Sequence, residues 1–137
     1  MRRVRRSVTL GWLALAATAI VADERSIERG AAVYRIYCRG CHGDGATGDG
    51  PTAERLTPHP TDLTRLAGDR GGTFPREPVM REIDGREKIP AHPRPIMPIW
   101  GLAFQQFDTD VDQESEVRER LADLADYLES IQRRPPG

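Results

Sequence analysis

The chain has 137 residues, enough for one ordinary domain and too few for two. Its 20 basic and 21 acidic residues nearly cancel, but four of the arginines stand at the extreme N-terminus; without them 16 basic face 21 acidic residues, a net charge of about −5. That balance speaks against nucleic acid or an anionic membrane surface as partner, and a single lysine, Lys88, leaves no lysine-rich docking face.

Residues 1–22 have a character of their own. Arg2, Arg3, Arg5 and Arg6 form a basic start, and residues 8–22 form an apolar run broken only by Thr9, Gly11, Trp12 and Thr18. Fifteen residues fall short of the about 20 that a bilayer-spanning helix needs, so the segment reads as an export signal. Ala17, Ala19 and Ala22 offer small residues for cleavage, and the absence of cysteine in the segment argues against a lipoprotein anchor. The expected organisation is a signal over 1–22, one domain over 23–132 and a short tail over 133–137. The expected location is the periplasm, with membrane contact only through partners or an uncleaved signal.

From 26 to about 39 the spacing predicts a helix. Ser26 is the candidate N-cap, and Ile27, Gly30, Ala31, Tyr34, Tyr37 and Cys38 recur at three- and four-residue intervals. Gly30 is a poor helix former, so its place at mid-helix predicts a close helix crossing. The helix runs into C-R-G-C-H at 38–42, which holds the only two cysteines. In an oxidising compartment a structural disulfide across so short a gap would remove little chain entropy, so the pair serves chemistry.

A long stretch of breakers follows, G-D-G-A-T-G-D-G-P and then L-T-P-H-P-T-D-L-T, too long for a simple connection and expected to wrap around something. Residues 77–84 read as a short helix with Val79, Met80 and Ile83 on one face. I-P-A-H-P-R-P-I-M-P-I-W-G reads as stiff and extended because of its prolines. From 113 to about 132 an amphipathic helix carries Val117, Leu121, Leu124, Leu128 and Ile131 on one stripe, with Ala125 and Tyr127 on its flank. No segment alternates convincingly enough for a strand. The expectation is an all-α domain of three main helices and long loops, whose modest core calls for a staple such as a cofactor.

Three chemistries compete for C-R-G-C-H. A thiol redox pair normally follows a strand, and none is expected here. A zinc ion needs four ligands, and Cys38, Cys41 and His42 are too close together to suit one ion, with only His59 and His92 to complete the set. Covalent haem uses all three residues as they stand, the thiols adding to two vinyl groups and His42 serving as proximal ligand, and it is the favoured reading. For the sixth ligand Met97 is favoured, because Pro95 and Pro98 restrict it and a thioether raises the reduction potential. His92 is the alternative, while Met80 reads as core packing and His59 as a solvated loop residue.

The chain resembles a class I c-type cytochrome of the small bacterial monohaem kind. The resemblance spans residues 30–131 and rests on G-A-A-V-Y-R-I-Y-C-R-G-C-H, the G-x-G-D-G-P loop, M-P-I-W-G and L-A-D-Y-L-E-S-I-Q. It implies a cytochrome c-like fold around one covalent haem c, with Gly30 and Tyr34 packing against Tyr127 and Leu128. It also implies that the carbonyl of Pro51 accepts the Nδ1–H of His42 and that Trp100 meets a haem propionate. No catalytic constellation is visible, and the remaining acidic residues read as solvated surface charge. With both axial positions filled, the implied role is electron transfer between redox partner proteins, as a free shuttle or a dehydrogenase subunit rather than an enzyme. The alternative is a haem sensor or peroxidase-like enzyme with a labile sixth ligand.

Overall fold

The first helix begins at two adjacent acidic residues, Asp23 and Glu24. In a computed structural model describing residues 23–87, 97–105 and 112–133, α1 spans Glu24–Tyr37. Its cap is Asp23, whose carboxylate accepts from the Arg25 amide, with Glu24 favouring the positive end of the helix. The expected cap, Ser26, lies inside the first turn instead, buried, with its hydroxyl donating to the Asp23 carbonyl at 2.7 Å. The expected export segment over 1–22 and His92 lie outside the described residues.

Cys38 closes α1 through its amide to the Tyr34 carbonyl at 2.9 Å, and the chain turns directly into a one-turn helix, α2 (Arg39–His42). The glycine-rich stretch then folds back on α2: the amides of Gly48, Gly50 and Thr52 donate to the carbonyls of His42, Cys41 and Gly40 at 2.9, 3.1 and 3.1 Å. The breaker-rich segment as a whole is knit by three short 3-10 turns, Ala53–Arg55, Leu63–Arg65 and Gly68–Arg70.

Helix α3 spans Arg76–Asp84 and buries Val79 and Ile83. After Pro98 and Ile99 the chain forms a further turn, α4 (Trp100–Ala103), where an extended segment was expected. The last helix, α5 (Gln113–Ser130), is capped by the Asp112 carboxylate accepting from the Ser115 amide. It stops two residues before the expected end, and Gln132 does something else. Its amide nitrogen donates to the carbonyls of Leu63 and Leu128, both at 2.7 Å, while its oxygen accepts from the Ala67 amide at 2.8 Å. The Arg133 amide reaches the Thr64 carbonyl at 2.8 Å, so the fold extends one residue into the expected tail. The described residues contain five helices and no strand, an all-α fold, and none of the helices is long and apolar enough to cross a membrane.

The core forms where α1 crosses α5. Tyr34, Val117, Leu121, Leu124 and Leu128 are buried there, and the Tyr34 and Tyr127 rings lie 5.3 Å apart. Ala125, expected on the flank of the stripe, is fully buried. Gly30 permits the crossing: a Cβ at this position would collide with the Asp123 carbonyl oxygen and stand 2.9 Å from the Tyr127 Cβ. Two acids expected as surface charge prove to be structural. Asp123 receives a two-pronged contact from Arg29 at 2.6 and 2.7 Å, joining α1 to α5. Asp126 pairs with Arg76, which also donates to the Ala122 carbonyl at 3.1 Å, joining α3 to α5. Both acids occur on the apolar side of α5 because each has an arginine from another helix to neutralise it.

Gly30→Leu therefore destabilises the protein by about 1–3 kcal/mol through overpacking. Even Gly30→Ala lowers the denaturation midpoint, against the gain of about 1 kcal/mol that helix propensity alone gives. Equal or raised midpoints in denaturant melts of both variants contradict this crossing.

Candidate functional site

A largely apolar cavity of about 540 Å³ opens beside the end of α1, within the roughly 300–1,000 Å³ usual for cofactor pockets. Its floor comes from Val79 and Ile83 of α3 and Leu124 and Leu128 of α5, joined by Leu63 and Leu66 of the loop between α2 and α3. Cys38, Cys41 and His42 form one wall, the loop 56–61 another, and Met97, Pro98, Ile99 and Trp100 a third. The site residues expected at 38–42 and at 97–100 thus face one space, although more than 50 positions separate them in sequence.

Local structure places the first group. Because α1 breaks at Cys38 and restarts as α2, both cysteines and His42 turn toward the cavity within five residues. Both thiols are free. Burial, with a smaller contribution from Cys41, pushes the Cys38 thiol up to about 12, the opposite of the depressed value that a thiol redox centre requires. The Thr52 hydroxyl lies 3.3 Å from the Cys41 sulfur and 2.7 Å from the Gly40 carbonyl, which steadies this end of α2. The Tyr34 hydroxyl, raised above its ordinary range chiefly by burial, donates to the Gly43 carbonyl at 2.6 Å and anchors the chain just past His42.

His42 is the most defined group of the site. Its Nδ1 stands 3.0 Å from the Thr61 carbonyl oxygen. A carbonyl can only accept, so Nδ1 carries the proton and Nε2 keeps a bare lone pair, the form that ligates a metal. Burial lowers the basicity of the ring, opposed by the Thr61 contact, so the neutral ligand form is favoured.

The partner expected at Nδ1 was Pro51, and the structure corrects this. Pro51 is exposed and stands away from the cavity walls, because Gly48 and Gly50 fold the first turn back onto α2. The chain returns to His42 only with the next proline-rich stretch, and Thr61, after Pro58 and Pro60, supplies the carbonyl. A backbone acceptor leaves no mark in residue type; the rigid P-H-P-T run was the available signal.

Met97 lines the cavity. Met80 does not: it stands on a separate groove of α3 and α5 beside Glu77, Arg81, Arg118 and Leu121, while packing against the core. His59, expected as a solvated loop residue, is exposed but also borders the cavity. Its backbone is two residues from Thr61, which keeps it near the His42 side. Trp100 is half-buried in an aromatic cluster, stacked on Phe104 at 5.6 Å and edge-on to Tyr37 at 5.5 Å. Tyr37 also lines the cavity and is 40% exposed, so one aromatic side chain joins the interior to the surface.

Among the described residues no three His, Cys, Asp or Glu side chains gather for a metal ion. The side chains bordering the cavity include two free thiols, the His42 imidazole and the Met97 thioether, with His59 and Glu82 also on its lining and the walls otherwise largely apolar. Cys38 and Cys41 could hold a cofactor through thioether bonds, and His42 and Met97 could ligate its metal. Comparison of the chain with protein-family models, with curated proteins and with solved structures gives no match.

Proposed function

We propose that this chain is an exported one-electron carrier resembling the class I c-type cytochromes, holding one covalent haem c in the cavity between α1, α3 and α5. The observation that carries the reading is convergence. Cys38, Cys41, His42 and Met97 border one apolar cavity, and the only bare imidazole nitrogen of His42 is the one not engaged by Thr61.

Haem in this site would supply a single one-electron couple at its iron. Cys38 and Cys41 would each add their S–H across a vinyl group, the hydrogen going to the neighbouring carbon, with no oxidant needed. His42 would ligate through Nε2, oriented by Thr61. Met97 would close the sixth position with a soft donor that favours the reduced state. The apolar floor of Val79, Ile83, Leu124 and Leu128 excludes water and so raises the cost of a change in net charge. Trp100 and Tyr37 would cover one edge, with Trp100 as the candidate propionate contact. With both axial positions filled the protein would act on other redox proteins of the periplasm, as a free shuttle or a dehydrogenase subunit, rather than on a substrate.

Covalent attachment is the testable core of this reading. Protein exported in a haem-maturing host retains its colour after denaturation and acid–organic extraction, and the Cys38→Ala and Cys41→Ala single variants mature in lower yield. Colourless wild-type protein, or haem lost entirely on extraction, contradicts it. Free carbon monoxide binding by the ferrous protein would point to the sensor or peroxidase-like alternative instead.

A further inference from the structure

Met97 does not hold itself against the cavity; something must fix the segment that carries it. The end of α3 supplies a candidate in Arg86, which the haem chemistry leaves unused. Its guanidinium forks onto two carboxylates at once. Nε and Nη2 donate to the Asp84 oxygens at 2.6 and 2.8 Å, and Nη1 and Nη2 donate to the Glu114 oxygens at 2.7 and 2.8 Å. Asp84 ends α3 and Glu114 lies in the first turn of α5, so a single side chain joins the two helices.

The third element is α4. Its Gly101 packs on this ion cluster so closely that a Cβ there would collide with Asp84 Oδ1 and stand 2.5 Å from Arg86 Nε. One step earlier, Ile99 lies against Gly85, and its carbonyl accepts from the amides of Leu102 and Ala103, both at 3.2 Å. Ile99 and Trp100 are walls of the cavity, as is Met97. A shift of α4 off the cluster therefore carries the 97–100 segment with it. The arginine side chain is only 24% exposed, and its planar fork suits two-carboxylate bridging in a way the point charge of a lysine does not.

We propose that Arg86 is a positioning residue for Met97: by clamping Asp84, Glu114 and the backbone of Gly101 together, it holds the 97–100 segment closed and keeps the thioether on the iron. The proposal rests on the axial role proposed for Met97. An entering ligand binds only the fraction of molecules in which Met97 has left, so its apparent affinity measures how firmly the segment is held.

The test is imidazole titration of the ferric holoprotein, followed by loss of the near-infrared sulfur–iron band, with amide exchange at Ala103 and Phe104 as a second reading of α4. Arg86→Gln is expected to lower the half-displacing imidazole concentration about tenfold, as loss of several charge-assisted bonds implies. Arg86→Lys falls between it and the wild type, and exchange at Ala103 and Phe104 accelerates in the same order. Arg29→Gln breaks the α1–α5 pair far from α4, and it lowers the melting temperature without moving the imidazole midpoint. Should Arg86→Gln fail to fold, Glu114→Gln removes one arm of the clamp and shifts the midpoint in the same direction. Variants at Arg86 and Glu114 that melt lower yet keep the wild-type midpoint and exchange rates overturn the clamp alone. A wild-type protein without the band overturns the Met97 assignment and this inference with it.

Discussion

A Cys38→Ala/Cys41→Ala double variant, exported in a haem-maturing host, fails to fold: circular dichroism shows weak helicity and no cooperative transition in denaturant. The cavity explains the size of the effect. Val79, Ile83, Leu124 and Leu128 line it on the helix side, and Leu63 and Leu66 on the loop side. Leu63 and Leu66 are only half-buried by the protein's own atoms, and a large part of the remaining apolar packing lies at the α1–α5 crossing. A domain this small has little burial to spare against the about 1–2 kcal/mol of backbone entropy lost per ordered residue. The loops 43–75 contain only three short 3-10 turns among irregular backbone. Single cysteine variants keep one bond and fold with reduced yield. A double variant that unfolds cooperatively, with native-like helix content and no haem, contradicts the claim that haem completes the core.

With Met97 as the proposed sixth ligand, Met97→Ala is expected to open that position. It abolishes the near-infrared band of the ferric sulfur–iron bond, admits carbon monoxide to the ferrous protein, and lowers the reduction potential. The shift is on the order of 100 mV or more, a modest part of the ~0.8 V over which axial ligation tunes haem. The control is Met80→Ala. Met80 is half-buried against the core on a groove away from the cavity, so its loss costs about 1–2 kcal/mol of stability and leaves the band and potential in place. A low-spin bis-histidine spectrum in Met97→Ala identifies a substitute ligand, with His92 the candidate five residues earlier in the chain. The reverse pattern, in which Met80→Ala removes the band and Met97→Ala keeps it, reverses the ligand assignment.

What was legible in the sequence follows the physics of each element. Helices α1, α3 and α5 announce themselves through apolar residues three and four apart, and their boundaries shift by only one or two residues at most ends. The mid-helix Gly30 correctly signalled a crossing, because a residue with a helix-propensity cost needs a compensating contact. The single turns α2 and α4 were illegible: four residues carry no periodicity, and proline-rich flanks read as extended. Side chains could be singled out from the sequence only where chemistry demands the residue type. Cys38, Cys41, His42 and Met97 could be named as candidates, and the structure brings them to one cavity.

Contacts made by the backbone left no such trace. The Thr61 carbonyl replaces that of Pro51 because the fold-back of the glycine-rich turn, set by the Gly48 and Gly50 amides, moves the return point of the chain by ten residues. Long-range ionic links were hidden for a different reason. Asp123, Asp126 and Arg86 look like surface charges in a sequence rich in both signs, and only the crossing of helices shows which arginine meets which acid.

The most direct test of the central claim is one set of absorption spectra of the exported wild-type protein. The expected result is a covalently retained, low-spin haem, a weak near-infrared sulfur–iron band in the ferric state, and a ferrous form that does not bind carbon monoxide. A protein without covalent haem, or one with a high-spin ferrous form that takes up carbon monoxide readily, would contradict it.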